Sequence, residues 1–339
     1  MDLIRICTFT ERGRELAKRI EERANGFMFS YREDEPLQDF LAESFAMRVP
    51  VLFIGACGIA VRMIAPFVKD KLTDSAVLVA DEAGQYVIPI LSGHVGGANA
   101  LAKRLADAMS AQAVITTATD VNGLFSADVF AEKNGLLIVN REGIAEVSAK
   151  LLREGRITVS VSPEIEFDEN EVPKELTLIS YPPTEYADLV ISREEVPAVL
   201  RLAPRPYVVG IGCRKGMSAE VILAQVNASL SDCGLSERKN EICAFASIDL
   251  KAAEPGLLRA AADHGVKLYT YSAKELSDME GSFSFSAFVE QVTGVSNVCE
   301  RAAMFHAGEG AELVKEKLAE NGVTVAVARR KDRIVTWET

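Results

Sequence analysis

The chain has 339 residues, and its 37 basic and 49 acidic side chains give a formal net charge of −12 at pH 7. Hydrophobic residues make up 48% and charged residues 25% of the sequence, which is typical of a globular protein with two or three modules. The acidic balance excludes a basic nucleic-acid binder, and no apolar run reaches the ~18 residues of a membrane helix.

Short β-branched runs alternate with amphipathic stretches over residues 1–130. The runs predict strands at Leu3–Phe9, Val51–Gly55, Ala76–Ala80, Tyr86–Leu91 and Ala113–Ala118. The amphipathic spacing predicts helices at Glu11–Arg23, Leu37–Met47, Ile59–Val68 and Gly97–Met109. This alternation predicts an N-terminal α/β domain, 1–130, with helices on both faces of its sheet.

Residues 131–206 differ in composition from both flanking regions. The segment EIEFDENEVPKE, 164–175, is strongly acidic, and prolines cluster between Pro163 and Pro206. We expect a small acidic middle module here, and Arg201–Pro206 is its best candidate linker to the next section.

The α/β rhythm resumes over residues 207–339. Strands are predicted at Tyr207–Ile211, Ile242–Ile248, Lys267–Tyr271 and Val323–Ala328. Helices are predicted at Ser218–Leu230, at Gly256–His264 and over 286–319. The third module is therefore predicted to be a C-terminal α/β domain.

Glycines mark three predicted strand-to-helix junctions. The loops are GACGIAVR (Gly55–Arg62), SGHVGGAN (Ser92–Asn99) and GIGCRKG (Gly210–Gly216). Unhindered N–H groups ahead of a helix attract anions, although glycine can also simply ease a tight turn. The third loop lacks GxGxxG spacing and an acidic residue about 20 positions on, which disfavours a nicotinamide cofactor.

His94 is the best catalytic candidate, because it lies among glycines where its imidazole can titrate and meet a substrate. His264 and His306 are near predicted helix ends, where structural roles suffice. Four polar residues close AVITTATD and either offer hydroxyls and a carboxylate to a ligand or cap the next segment: Thr116, Thr117, Thr119 and Asp120.

The cysteines give weaker signals. Cys57 and Cys213 lie in glycine loops, but neither has an acid or histidine at motif spacing, so small buried thiols remain the simpler interpretation. Six scattered cysteines without CxxC, and an N-terminus without an apolar signal segment, predict a cytoplasmic protein without a metal site of its own.

Two long segments carry a family resemblance. The first is 55–105 with AVITTATDVNGL (113–124), and the second includes VVGIGCRKGMSAEVI (208–222), AFASIDLKAAEPGLL (244–258), YSAKEL (271–276) and VTVAVARR (323–330). Both resemble the cobalt-precorrin-5A hydrolase (CbiG) family of anaerobic cobalamin biosynthesis. The resemblance implies opening of the δ-lactone of cobalt-precorrin-5A by water, with C20 released as acetaldehyde to give cobalt-precorrin-5B.

The resemblance also implies the partners. The substrate is a cobalt-corrinoid small molecule that brings its own cobalt, so no protein cofactor is expected, and other enzymes of the corrin pathway are the remaining candidate partners. The alternative is a non-catalytic protein that binds or channels corrinoids; it would bind the substrate without releasing acetaldehyde.

The site hypothesis assigns His94 as general base and the amides of Gly96 and Gly97 as the oxyanion hole. Arg62 and Arg214 are expected to anchor peripheral carboxylates. All three loops are expected to meet in one pocket. The predicted substrate-binding residues are Gly55, Gly58, Arg62, Ser92, Gly93, Gly96, Gly97, Asn99, Thr117, Asp120, Gly212, Arg214, Lys215 and Ser218.

Overall fold

The computed structural model describes residues 2–32 and 34–338. Within these residues the strands form three separate sheets, one after another along the chain. None of the helices in the described part of the chain is both long enough and apolar enough to cross a bilayer.

The N-terminal module contains a six-stranded sheet of order β2-β1-β3-β4-β5-β6. Its strands are β1 (Asp2–Thr8), β2 (Phe27–Tyr31), β3 (Val51–Ile54), β4 (Val77–Ala80), β5 (Tyr86–Leu91) and β6 (Gln112–Ala113). Its helices are α1 (Glu11–Arg23), α2 (Leu37–Ala46), α3 (Cys57–Ile64) and α4 (Ala98–Met109), with a 3₁₀ turn at Ala65–Phe67. Alternate residues of the buried strands face opposite sides, so α1 and α4 cover one face of the sheet and α2 and α3 cover the other.

Strand β5 reverses the direction of this sheet. It follows β4 through the turn 81–85 and pairs with β4 antiparallel, with Val77 opposite Leu91 and Ala80 opposite Val87. The other strand pairs of the sheet are parallel. The end of β5 therefore lies beside the beginning of β4, at the edge where the parallel strands start.

The middle module is a five-stranded sheet of order β7-β11-β10-β8-β9. Its strands are β7 (Leu136–Ile138), β8 (Ile157–Val161), β9 (Leu176–Ile179), β10 (Ala187–Ile191) and β11 (Ala198–Pro204). Its helical segments are α5 (Ala118–Asn122), which leads into it, α6 (Ala127–Lys133), α7 (Glu142–Glu154) and the 3₁₀ turn Glu169–Glu171. Helices α6 and α7 pack on one face of the sheet.

The C-terminal module has a sheet of order β14-β13-β12-β16-β15. Its strands are β12 (Tyr207–Cys213), β13 (Ile242–Ile248), β14 (Lys267–Tyr271), β15 (Glu312–Glu320) and β16 (Val323–Arg329). Its helices are α8 (Ala219–Asp232), α9 (Pro255–His264), α10 (Ala273–Ser277), α11 (Ala287–Thr293) and α12 (Cys299–Ala307), with 3₁₀ segments Ser236–Glu241 and Asp249–Lys251. Helices α8 and α9 cover one face, and α10 and α12 cover the other.

The C-terminal tail, residues 330–338, follows β16 and returns to the middle module. Ile334 and Trp337 are buried in its core, where the Trp337 ring lies 4.9 Å from the Phe130 ring and 5.8 Å from the Phe167 ring, measured between centroids. The Asn134 side chain accepts hydrogen bonds from the amides of Val335 and Thr336 at 2.7 and 3.1 Å. The middle core is thus assembled from two distant parts of the sequence.

The predicted three-module α/β architecture is confirmed, and three local predictions are wrong. The linker candidate Arg201–Pro206 is mostly strand β11, whose Leu202 is buried and pairs with Ile138. Residues 312–319 form strand β15 rather than helix, because they pair with β16. The predicted strand Ala113–Ala118 ends at Ala113, and the next residues run toward α5. The middle core also includes Phe125 and Ala127, which lie before the predicted boundary at residue 131.

Removal of the Trp337 ring tests how the tail packs in the middle module. Trp337 is 3% exposed and Val335 is 55% exposed. We expect Trp337→Ala to lower the stability of the middle module by about 3–5 kcal/mol, since a buried aromatic ring is lost. Thermal unfolding followed by circular dichroism should show an earlier transition, whereas Val335→Ala should unfold like the unmodified chain. Equal melting curves for the two variants would contradict the proposed role of the tail.

Candidate functional site

The reversal of β5 places the loop Ser92–Gly97 at the edge of the N-terminal sheet that faces the middle module. Strand β6 runs parallel to β5, with Tyr86 opposite Gln112, so the segment after β6 reaches the same edge. Contacts from Ser126 and Asp128, at the start of α6, complete the group around His94. The site therefore lies between two modules.

Close packing explains the glycines of this loop. A Cβ on Gly96 would lie 2.3 Å from the Cβ of Ser92, and a Cβ on Gly93 would lie 2.7 Å from Asn99 Oδ1. Gly97 has φ +80°, a left-handed conformation that glycine adopts without steric cost, and α4 begins directly after it. The tight loop holds His94 at the surface of the module.

The His94 imidazole lies between two carboxylates. Its Nδ1 is 3.4 Å from Asp128 Oδ2, and its Nε2 is 3.3 Å from Asp120 Oδ2. The hydroxyls of Ser126 and Thr119 approach Nδ1 and Nε2 at 3.4 and 3.2 Å. The imidazole side chain is 21% exposed, so it remains partly open to solvent.

Asp128 is the buried member of this group, with 5% of its surface exposed. Its Oδ1 accepts hydrogen bonds from the Ser126 hydroxyl at 2.6 Å and from the Val129 amide at 3.1 Å. Burial alone would raise the pKa of this carboxyl, but the hydrogen bonds from His94, Ser126 and Val129 and the charge of His94 outweigh burial and lower the pKa to about 2. Asp128 is therefore an anion at neutral pH.

Asp120 is the more exposed carboxylate, at 21% of its side chain. Its Oδ2 accepts from Asn99 Nδ2 at 2.9 Å, and its Oδ1 lies 3.4 Å from Lys103 Nζ. Asn99 also donates to Thr117 Oγ1 at 3.0 Å. The structure thus brings together His94, Asn99, Thr117 and Asp120, four of the residues predicted from sequence.

The two carboxylates change the acid–base behaviour of His94. The hydrogen bond to Asp128 raises the pKa of His94 and burial opposes that change, while the charges of Asp128 and Asp120 and the hydrogen bond to Asp120 raise it further. A partly exposed imidazole with a raised pKa is a stronger base and keeps an accepted proton longer. The arrangement suits proton transfer to and from a bound molecule.

Only one of the two amides predicted to form the oxyanion hole is free to donate to a ligand. The Gly97 amide donates to His94 O at 2.8 Å, which removes it from that role. In the part of the chain that the structure describes, the Gly96 amide donates no hydrogen bond, and it remains the candidate oxyanion donor. The buried Ser92 has φ +55°, and its hydroxyl has no hydrogen-bond partner there, so the loop holds strain typical of a functional segment.

The first glycine loop lies at the opposite edge of the N-terminal sheet. Gly55 follows β3 at the ends of the parallel strands, and its φ of +151° explains the glycine. Gly58 and the exposed Arg62 follow on α3, where Arg62 donates to Gly58 O at 3.5 Å. An open depression of about 540 Å³ borders this loop, with Phe9 and Ile59 among its lining residues.

The third loop lies at the far end of the C-terminal module. Strand β12 starts near the middle module, where Arg330 Nη2 donates to Asn134 O at 2.9 Å, and it ends about 20 Å away at this loop. Gly212, Arg214 and Lys215 lie there, with the last two exposed. The expectation that the three loops share one pocket is therefore wrong, because strand direction sends each to a different edge.

Local contacts within the C-terminal module explain why several residues of the third loop and the helix after it are glycine or serine. A Cβ on Gly210 would lie 1.8 Å from Cys299 O, so α12 requires a glycine there. The Gly216 amide donates to Glu254 Oε1 at 2.6 Å, and this carboxylate occupies the position expected for a bound anion. Ser218 caps α8 through a 3.5 Å contact with the Val221 amide.

The other candidate nucleophiles and bases are partly buried. Burial raises the pKa of Cys213 to about 11 and lowers that of His306 to about 4. His306 Nδ1 lies 2.5 Å from the Tyr271 hydroxyl, and the His264 ring lies 5.1 Å from the Phe245 ring. Structural roles account for both histidines.

Sequence reasoning offered Thr119 as a candidate, but it missed three members of the site: Lys103, Ser126 and Asp128. Lys103 is one turn along α4 from Asn99, so helical spacing could have found it. Asp128 lies outside any recognised motif, and its partner His94 is 34 residues away in sequence. Among residues 2–32 and 34–338, no group of three or more His, Cys, Asp or Glu side chains is arranged to hold a metal ion.

Two family models match the chain. The model described as "Cobalamin synthesis G N-terminal" matches residues 39–120, and that described as "Cobalamin synthesis G C-terminus" matches residues 207–328. His94 and Asp120 lie within the first match, whereas Asp128 lies in the segment between the two.

Three relatives match most of the chain. A cobalt-precorrin-5A hydrolase of Salmonella typhimurium is 35% identical over 300 residues, covering 84% of this chain and 83% of the relative. One of Priestia megaterium is 34% identical over 355 residues, covering 95% and 94%. A probable cobalt-precorrin-5A hydrolase of Methanocaldococcus jannaschii is 28% identical over 343 residues, covering 96% and 98%.

The contact between His94 and Asp128 predicts a pH-dependent contribution to stability. A raised His94 pKa stabilises the folded chain below the ordinary value of 6.5, and this contribution disappears as pH rises through the raised pKa. The lowered Asp128 pKa stabilises above 3.8, and its contribution is lost as pH falls toward about 2.

We therefore expect His94→Gln to destabilise the protein most between about pH 4 and 6.5, by about 1–2 kcal/mol, and less at higher pH. Urea unfolding across this pH range measures the difference. In an Asp128→Asn background the same substitution should have little effect; a constant loss at every pH would contradict the charged contact.

Proposed function

The chain belongs to the cobalamin synthesis G family, and we propose that it is a cobalt-precorrin-5A hydrolase of cobalamin biosynthesis. The observation that carries the proposal is identity of 34–35% to two proteins of that name over more than four fifths of each chain. The group around His94 supplies the acid–base chemistry that such a reaction needs.

We propose that the reaction opens the δ-lactone and then releases a two-carbon fragment. Water adds to the lactone carbonyl, the acyl–oxygen bond breaks, and the products are a carboxylate and a hydroxyl on C20. Loss of the proton from this hydroxyl starts cleavage of the bond between C20 and the ring. C20 with its methyl group then leaves as acetaldehyde, the electron pair of the broken bond stays on the macrocycle, and cobalt-precorrin-5B results.

His94 serves as the base in this scheme. Its unprotonated Nε2 takes a proton from the attacking water and returns it to the C20 oxygen, and the same nitrogen can then take the C20 hydroxyl proton. Because the pKa of His94 is raised, the rate should increase with pH through a value above 6.5. The Gly96 amide is the proposed oxyanion donor.

The substrate carries several carboxylates, which need cationic partners on an acidic protein. Lys103 is the cation beside His94, at 60% side-chain exposure. The earlier assignments of Gly55, Gly58, Arg62, Gly212, Arg214, Lys215 and Ser218 to substrate binding require contacts at other edges of the sheets, and they stay predictions.

The proposed reaction consumes only water, so the protein needs no cofactor, and cobalt enters and leaves within the macrocycle. We also propose that the protein works in the cytoplasm, with other enzymes of the corrin pathway as its partners. Six free cysteines support a reducing compartment.

Acetaldehyde release is the decisive test of the function. Purified protein mixed with fresh cobalt-precorrin-5A and an aldehyde trap should produce one equivalent of trapped acetaldehyde per substrate. His94→Gln should lower kcat about a hundredfold or more, the size expected for loss of a general base. Tight corrinoid binding without acetaldehyde would identify a non-catalytic binding protein, and normal turnover of folded His94→Gln would remove His94 from the mechanism.

The location of substrate binding is tested by a pair of cation variants. Lys103→Ala should raise KM about tenfold, since one charge-assisted contact is lost. Arg214→Ala should raise KM less, because Arg214 lies at the far end of the C-terminal module. Steady-state kinetics at constant ionic strength compare them; a larger effect of Arg214→Ala would place the macrocycle at the third loop.

A further inference from the structure

We propose that Asp128 of the middle module is a positioning residue that sets which nitrogen of His94 carries the hydrogen, and that Asp120 stabilises the imidazolium formed when Nε2 takes a proton. The inference rests on the proposed function for its kinetic consequences. Its structural part concerns His94 alone and can be tested without substrate.

The two carboxylate oxygens of Asp128 have different partners: Oδ1 bonds within its own segment, and Oδ2 faces His94. Oδ1 accepts from the Ser126 hydroxyl and from the Val129 amide. Oδ2 faces His94 Nδ1 at 3.4 Å. An ionised carboxylate only accepts hydrogen bonds, so Nδ1 must carry a hydrogen to bond with it. The neutral imidazole then has its lone pair on Nε2.

The surroundings of Nε2 fit that assignment. Thr119 Oγ1, at 3.2 Å, can donate to the lone pair of the neutral ring. Once Nε2 is protonated, Asp120 Oδ2 at 3.3 Å can accept from it. The two carboxylates are therefore not equivalent: the buried one orients the ring, and the more exposed one stabilises the imidazolium.

Among the described residues, Asp120 and Asp128 are the charged side chains that form ion pairs with His94. Asp120 projects from α5 and Asp128 from α6, while Lys103 of α4 reaches His94 only through Asp120. The catalytic imidazole belongs to the N-terminal module and its orienting carboxylate to the middle module. Docking of these two modules consequently completes the acid–base group.

The substitution Asp128→Asn makes a specific prediction about the ring. The Asn oxygen is best placed where Oδ1 now accepts from Ser126 and Val129, which turns the NH2 group toward Nδ1. A donor facing Nδ1 favours the neutral form with the hydrogen on Nε2. The lone pair of His94 then lies on Nδ1, and Nε2, the nitrogen proposed to act as base, no longer has one.

Nuclear magnetic resonance of the full chain with ¹⁵N-labelled histidine can measure this directly, because the sequence contains three histidines. In the unmodified protein we expect the Nδ1–H form of His94 and a raised pKa. Asp128→Asn should switch the tautomer and lower the pKa, whereas Asp120→Asn should lower the pKa and keep the tautomer. The signals of His264 and His306 should not move in either variant.

Asp70→Asn is the matched control, because it removes a further ion pair between these modules that does not involve His94, Arg141 Nη1 to Asp70 Oδ2 at 3.3 Å. It should leave the tautomer and pKa of His94 unchanged. An unchanged His94 tautomer in folded Asp128→Asn would overturn the inference, as would the same switch in Asp70→Asn, which would indicate loss of docking instead.

Kinetics complete the test. Asp128→Asn should lower kcat about a hundredfold with little change in KM, since the base is misdirected and the binding surface is kept. Normal kcat in a variant with a switched tautomer would overturn the catalytic part. If the unmodified protein releases no acetaldehyde, the proposed function fails, while the tautomer measurement still decides the role of Asp128.

Discussion

The antiparallel pairing of β4 with β5 determines where the candidate site lies. A parallel β5 would end beside Gly55, at the edge where α/β sheets usually bind ligands. The turn 81–85 instead returns the chain to the other edge, so His94 faces the middle module and meets Asp128. The reversal of this one strand thus places the loop of His94 at the interface between two modules.

Much of the fold could be predicted from local patterns. Helix α1 and strands β5, β13 and β14 match their predicted bounds, because short apolar runs with β-branched residues and amphipathic spacing are strong local signals. The failures involve pairing over distance. The segment ELVKEKLAE in β15 has a pattern compatible with a helix, yet it forms an edge strand with irregular register against β16. Strand β2 (FMFSY) was missed because it contains no β-branched residue.

The site shows the same division between local and distant information. Glycine spacing identified the loop of His94, since the close approach of Gly96 to Ser92 is a local requirement. Similar spacing around Gly210 reflects the approach of α12, so glycines alone cannot separate a binding loop from a packing contact. Asp128 could not be predicted, because its position depends on how two modules dock.

The return of the tail to the middle module has a consequence for synthesis. The core around Phe130 is incomplete without Trp337, and the whole C-terminal sheet is translated between them. On the ribosome, the N-terminal and C-terminal sheets can each collapse once their own strands have emerged. The core of the middle module therefore stays open to water until Trp337 has been synthesised, and exposed apolar surface of this kind favours aggregation.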